Sequence, residues 1–271
     1  MFEVRTLRGR ILLQIAVTLL VLPFLFPLIT MVQGSLAGDG WGNYRAVLGV
    51  PLLGRFFVNT VIIAASVIAI VYAVTMLAAY GFGKLHIRGR EVYFWLLLAC
   101  LTLPEVVLLA PLFTTAQALG FFDTYWAVIL PIAALQVPFA VLLARNFVNG
   151  IPDELFEAAR VDGASYFGLF RRIAMPLAIP SFIIVFLFEF QSSWNNLQAA
   201  LIYLNAGSVE GFTVPLGIAY AMTKYSPTNG GQGDYQYVMV ASLLVTLPML
   251  VLFAFGQRYF IEGVATQGRK G

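Results

Sequence analysis

The side chains able to do chemistry are few, and most gather in one apolar run: Glu189, Gln191, Ser192, Ser193, Trp194, Asn195, Asn196 and Gln198. Carboxylate, amide and hydroxyl groups exchange hydrogen bonds with a hydroxyl-rich ligand, and Trp194 offers an apolar face for a sugar ring. A charge at mid-bilayer costs ~2.5 to 3.5 kcal/mol on insertion scales, so Glu189 and the second acid in an apolar stretch, Glu105, must face protein or water. Side chains three or four apart share a helix face, which places Glu189, Ser192, Ser193 and Asn196 on one stripe. That stripe could line a solute path, or it could pack on a neighbouring subunit through interhelical hydrogen bonds. Glu105 is likewise open between a pathway role and a simple hydrogen bond near the outer end of its helix.

Bond-breaking chemistry has no constellation here. His86 is the single histidine and Cys100 the single cysteine, so no His pair or Cys cluster can hold a metal and no intrachain disulfide can form. Cys100 reads as a small buried hydrophobe, and His86 as a solvated loop residue. A phosphate-binding loop needs glycines whose backbone N–H groups surround phosphate, followed by Lys and Ser or Thr. The nearest run, Gly81-Phe82-Gly83-Lys84-Leu85, lacks the upstream glycine and the hydroxyl. The chain reads as non-catalytic and without a cofactor.

The elements that must position these groups are membrane helices. Hydrophobic residues are 60% of the 271 and charged residues 11%, outside the range of soluble domains. A span needs about 20 apolar residues, and the expected spans are residues 11–31, 57–82, 92–113, 125–147, 177–203 and 237–260. The first run is too long for the core of a signal peptide and is expected as an uncleaved span. Residues 34–55 read as a polar loop with Trp41, Tyr44 and Phe56 as interfacial aromatics. Ala65, Ala69 and Ala73 make a small-residue stripe suited to helix packing. Pro131 and Pro138 are expected to break the fourth span, and Val214 to Met222, too short to cross, to form a short helix at the outer surface. The fold class is all-α, a polytopic membrane protein with six transmembrane helices and a polar loop between spans four and five.

Charge gives the orientation. Of the 16 Lys and Arg residues only Arg45, Arg55 and Lys224 fall on one side of this six-span topology. The positive-inside rule therefore places both termini and the central loop in the cytoplasm. The net charge of +3 arises from cations beside spans, and it gives no ground for nucleic-acid binding.

The central loop, residues 151–176, is the longest charged interruption. Pro152 suits a helix start, Asp153 and Glu154 place negative charge on its positive end, and Gly163 can take the left-handed stop. Such a helix is only about 15 Å long and marginal alone in water, so a partner is expected to cover a face. Leu155, Ala158, Ala159 and Asp162 share that face. A second, basic helical segment with Arg171 and Arg172 leads to Pro176 and Pro180.

Glu157-Ala158-Ala159, Asp162-Gly163-Ala164, Phe170, Pro176 and Pro180 resemble the EAA loop of binding-protein-dependent ABC importer permeases. Asn59-Thr60, Ala78-Ala79-Tyr80, Gly89-Arg90, Trp194-Asn195 and Val214-Pro215-Leu216-Gly217 extend the likeness to the carbohydrate-uptake branch, and to the maltose-type second membrane subunit. The resemblance implies that the loop helix is a coupling helix, with Glu157, Ala158, Ala159, Asp162, Gly163, Ala164, Phe170 and Pro176 as ATPase-coupling residues. It implies a second permease subunit in a heterodimer, two ATPase subunits carrying ATP and Mg, an extracytoplasmic solute-binding protein, and a sugar or sugar-like solute. The setting implied is the bacterial or archaeal cytoplasmic membrane, with lipid around a multi-pass chain. A secondary transporter or channel using Glu105 and Glu189 as ion sites is the competing reading; its usual sign, a repeated half with paired broken helices, is absent from the sequence.

Overall fold

The computed structural model describes residues 7–204, 209–225 and 235–267. Arg5, Arg269, Lys270 and parts of the long loop after the fifth span lie outside the described residues. Regular structure among the described residues is helical throughout, and the chain divides into two compact units, Met1–Pro51 with Ile218–Leu247, and Leu52–Gly217 with Pro248–Gly271.

In the first unit, α1 (Leu7–Ser35) is a single helix despite Pro23 and Pro27, with no residue of its most apolar window buried. The polar loop after it is ordered around a helix that composition did not announce, α2 (Trp41–Leu48). Asn43 fixes that turn: its buried side-chain amide donates to the carbonyls of Ser35 (2.9 Å) and Ala37 (2.7 Å). Val47 then packs on Val240 and Ala241, with Tyr44 and Tyr237 beside them.

The second unit is built on α3 (Leu53–Lys84), a 32-residue helix packed on α6 (Tyr125–Asn149) and on α10 (Ile179–Trp194). Its buried seam is Thr60, Ile63, Ala64, Val67, Val71, Thr75 and Ala79, whereas Ala65, Ala69 and Ala73 are exposed. The expected small-residue stripe therefore lies beside the packing face within this chain. β-branched side chains, stiff at χ1, fill the seam against α6 instead. Phe56, expected at the interface, is also in the core: it is buried against Phe212, and any side chain at Gly217 would collide with its ring. The Asn59-Thr60 pair serves the same end of α3. The Asn59 amide donates to the carbonyls of Glu210 (2.7 Å) and Phe212 (2.9 Å), and the Val214 amide donates to Thr60 Oγ1 (2.7 Å).

Pro131 and Pro138 do not break α6, which runs uninterrupted for 25 residues with both prolines inside it. Neighbouring helices can re-satisfy the carbonyls a proline frees, so proline within a membrane helix need not end it. Pro104 does break its span. Residues Arg90–Thr102, comprising α4 (Arg90–Ala99) and a 3-10 turn, meet α5 (Glu105–Ala118) at 99°. Pro104 itself is extended, at φ −64° and ψ 129°. Cys100 is exposed on this segment, not buried as expected, because the seam on that side is made by Phe94.

After α6 the chain forms α7 (Asp153–Val161), α8 (Tyr166–Leu169), a π turn over Phe170–Ala174, and α9 (Met175–Leu177). Tyr166–Leu177 then meets α10 at 70°. The expected fifth span ends early: α10 stops at Trp194, and α11 (Leu197–Tyr203) is a separate short helix. The short helix expected after it is α12 (Val214–Tyr225), and α13 (Tyr235–Gln267) completes the described chain. Among the described residues four helices are long and apolar enough to cross a membrane, and six segments are if each bent pair counts as one span.

Candidate functional site

Two places in the second unit gather the residues singled out by sequence. The first is a cavity of about 500 Å³ where the breaks at Pro104 and Asn195 leave helix ends facing side chains of α6. Glu105, the first residue of α5, stands at its edge, and Gln136 enters from the middle of α6. Helix α10 contributes Phe188, Gln191 and Ser192, and its C-cap contributes Asn195; spaced three and four apart, the four continue one helical face. Asn196, Leu197 and Gln198 close the cavity from the start of α11, and Phe139 and Phe188 form an apolar wall with rings edge-to-face at 5.4 Å.

The polar groups of the wall hold each other. Gln136 Nε2 donates to Ser192 Oγ. Asn196 Oδ1 accepts the Ala199 amide at 2.8 Å, capping α11, which commits its oxygen and leaves its NH₂ for other partners. Sequence reasoning missed Gln136. The available signal was its isolation, since it is the sole amide or charged residue between Trp126 and Arg145.

The stripe expected from spacing divides in two. Ser192, Asn195 and Asn196 reach the cavity, as does Glu105; Glu189, Ser193 and Trp194 turn into the core. Glu189 is 0% exposed, and among the described residues neither carboxylate oxygen has a hydrogen-bond partner; Ser193 Oγ is likewise unpaired there. Trp194 is stacked on Phe190 at 5.2 Å and lies 5.8 Å from Phe57, so its face is covered within the chain. At about 100° per residue Ser193 falls roughly 40° to one side of Glu189 and Ser192 roughly 60° to the other, so the two serines face different ways, which a count of threes and fours does not show.

The second place is the loop helix α7. Pro152 is its N-cap, one residue earlier than a first helical position, and Gly163 ends it at φ +82°. The Ala164 amide donates to the Ala159 carbonyl and the Gly163 amide to Arg160, each at 2.9 Å. This double closure needs a left-handed residue, which glycine adopts without Cβ strain. Phe156 is the buried anchor of the helix, beside Tyr80, Ile151, Leu169 and Ala174. With Phe156 inward, Leu155, Glu157, Ala158 and Asp162 are exposed, while Ala159, Ala164 and Phe170 are half-buried and Pro176 is exposed. The packing missed by sequence is that of Tyr80 and Lys84 at the end of α3. The Tyr80 hydroxyl donates to the Tyr166 carbonyl at 3.1 Å, and its ring meets those of Phe156 and Phe170. Lys84 Nζ donates to the Ile151 carbonyl and to Asp153 Oδ1, both at 2.6 Å, and lies 5.2 Å from the Phe156 ring centre. The hydrogen bond and charge of Lys84 hold the Asp153 carboxyl below its ordinary value. His86 is exposed as expected, at the rim of a cavity of about 260 Å³ shared with Asp153 and Glu157. Arg145, at the end of α6, bridges Glu91 at 2.5 Å and stands 3.9 Å over the Phe94 ring, tying α4 to the same end of the bundle.

A polytopic helical protein with a polar cavity between broken helices, and a short anchored helix showing a small-residue face, has the architecture of a solute permease. Residues 75–266 match the family described as binding-protein-dependent transport system inner membrane component. The chain belongs to that family and is the membrane-embedded, non-catalytic permease subunit of an ABC importer. It is 34% identical over 220 residues to the arabinooligosaccharides transport system permease protein AraQ of Halalkalibacterium halodurans, covering 81% of this chain and 75% of that one. Over 277 residues it is 29% identical to the trehalose/maltose transport system permease protein MalG of Thermococcus litoralis, covering 97% of each. The fold is shared with a chain from the crystal structure of a bacterial ABC transporter involved in the import of the acidic polysaccharide alginate. That match has a TM-score of 0.74 at 21% identity and covers 96% of this chain and 100% of the other.

Proposed function

We propose that this subunit forms half of the translocation path for a sugar or sugar-like solute, and that the cavity between α5, α6, α10 and α11 is part of that path. The observation that carries the reading is the lining of amide and hydroxyl side chains beside an apolar wall of Phe139 and Phe188. Paired donors and acceptors with an apolar face suit a hydroxyl-bearing ring, and the amides hold it by neutral hydrogen bonds weak enough to exchange with water. The named carbohydrate permeases among its relatives support the same class of solute.

The exposed face of α7, with Glu157, Ala158 and Asp162, is the docking surface for a cytoplasmic ATPase. The working assembly is a heterodimer with a second permease, two ATPase subunits holding ATP and Mg, and an extracytoplasmic solute-binding protein. Both termini face the cytoplasm of a bacterial or archaeal cell, as the cation asymmetry supports. The reading is tested by uptake of labelled oligosaccharides into proteoliposomes holding the complete complex, comparing Asn195→Ala and Gln191→Ala with wild type. Lowered uptake or altered sugar selectivity with normal assembly is expected; wild-type rates and selectivity in both would refute the path.

A further inference from the structure

The charged and uncharged groups of the cavity differ in a way that bears on the cargo. Gln136, Gln191, Asn195, Asn196 and Gln198 are neutral amides, and among the described residues the lining contains no Lys, Arg or His. The one ionisable lining residue is Glu105, which is exposed and forms no ion pair among the described residues. Two cations elsewhere in this unit have acidic partners of their own: Arg55 pairs with Glu210 at 2.7 Å, and Arg145 pairs with Glu91.

We infer that Glu105 is a charge filter, making this half of the path a route for neutral polyhydroxyl solutes and a barrier to sugar acids. A sugar acid in the cavity would give up water around its carboxylate and meet a second carboxylate in place of a counter-charge. Removing an ion from water is tolerated when a partner replaces the lost solvation, and like charges at close range add a further penalty. A neutral sugar has no such cost, since each hydroxyl both donates and accepts and each amide does the same. The apolar wall is indifferent to charge. The fold does not decide the sign of the cargo; the lining does.

This inference rests on the cavity being part of the path, so the test reads access and charge separately. Gln198 is exposed on α11 and lines the cavity, and Gln198→Cys in a Cys100→Ala background gives this subunit a single thiol, its labelling read on the separated subunit. The complete transporter, with partner permease and ATPase subunits, is placed in nanodiscs. Its reaction rates are measured with trimethylammonium-ethyl and sulfonatoethyl methanethiosulfonate, each divided by the rate with free 2-mercaptoethanol. The cationic reagent is expected to be favoured about five- to tenfold, the size for one charge within several ångströms in a watery site. Glu105→Gln, close to isosteric, should bring the ratio near one, and Glu105→Asp should keep the preference. No preference in wild type, preference for the anion, or an unchanged ratio in Glu105→Gln would overturn the filter.

Access is read by repeating the labelling with ATP and vanadate. A rate that changes between resting and trapped complex supports the path, and a rate that does not change removes the path reading and the filter's role in cargo selection with it. The charge ratio is measured in either case, so a failed filter and a failed path give different results.

Discussion

Lys84 Nζ sits 2.6 Å from Asp153 Oδ1 and 2.6 Å from the Ile151 carbonyl oxygen, joining the last residue of α3 to the first residue of α7. The loop helix is thereby fastened to the long helix that packs on α6 and α10. A force on α7 has a direct route into the bundle through this contact and through Tyr80.

Lys84→Met should loosen that route while sparing membrane insertion. Substitutions along a connecting network change coupling by roughly two- to thirtyfold. The ratio of solute uptake to ATP hydrolysis in proteoliposomes is expected to fall within that range, with Lys84→Arg restoring part of it. An unchanged ratio in Lys84→Met would place the route elsewhere.

The same contact has a pH signature. Lys84 lowers the Asp153 carboxyl below its ordinary value of 3.8. The unfolded form therefore takes up the proton first as pH falls. The pair's contribution is fully present above 3.8 and is lost as pH drops through the lower folded value. Carbon-detected NMR titration of Asp153 in nanodiscs should give a midpoint under 3.8 that rises toward it in Lys84→Met.

Gly163 ends α7 at φ +82°, and a Cβ there would touch nothing within 4 Å. The cost of Gly163→Ala is therefore conformational, about 1 to 2 kcal/mol for a left-handed non-glycine residue. Gly163→Asn, with a residue that visits this region more readily, should cost less. Stimulation of ATP hydrolysis by loaded binding protein should rank wild type, Asn, then Ala; equal stimulation in all three would show that the turn does not set the helix's position.

Much of this arrangement was legible in the sequence because apolar length is a property of a whole segment. The six apolar runs appear as four long helices and two bent pairs, and the loop helix runs from Asp153 to Val161 close to the expected bounds. What was not legible depends on partners distant in sequence. Pro104 and Pro131 look alike in the chain, yet Pro104 turns it through 99° while Pro131 is buried inside an unbroken helix. Ser192 and Ser193 are adjacent, and only the pitch of α10 against α6 decides that Ser192 meets Gln136 while Ser193 is buried. The resemblance singled out Asn59-Thr60 and Tyr80 without explaining them; their hydrogen bonds cross more than 80 residues of sequence.

Glu189 offers a separate test of the divided stripe. A fully buried carboxylate with no hydrogen-bond partner among the described residues is a destabilising feature, and an apolar residue of similar volume is tolerated better. Glu189→Met should raise the thermal unfolding temperature of the purified complex, by several degrees for a gain of about 1 to 3 kcal/mol. Fluorescence-detected size-exclusion chromatography after heating measures this. Lower stability together with lost uptake would mean that Glu189 has a partner in the working cycle.

The central claim is that the exposed face of α7 transmits ATP hydrolysis to this subunit, and Ala158→Trp tests it most directly. Ala158 is exposed, so the larger side chain leaves the Phe156 anchor and the bundle undisturbed while blocking close approach of a partner. The measurement is ATP hydrolysis stimulated by loaded binding protein, with uptake followed in the same proteoliposomes. The account predicts that both are lost while insertion and the thermal stability of the isolated subunit stay at wild-type values; wild-type stimulation and uptake in Ala158→Trp would contradict it.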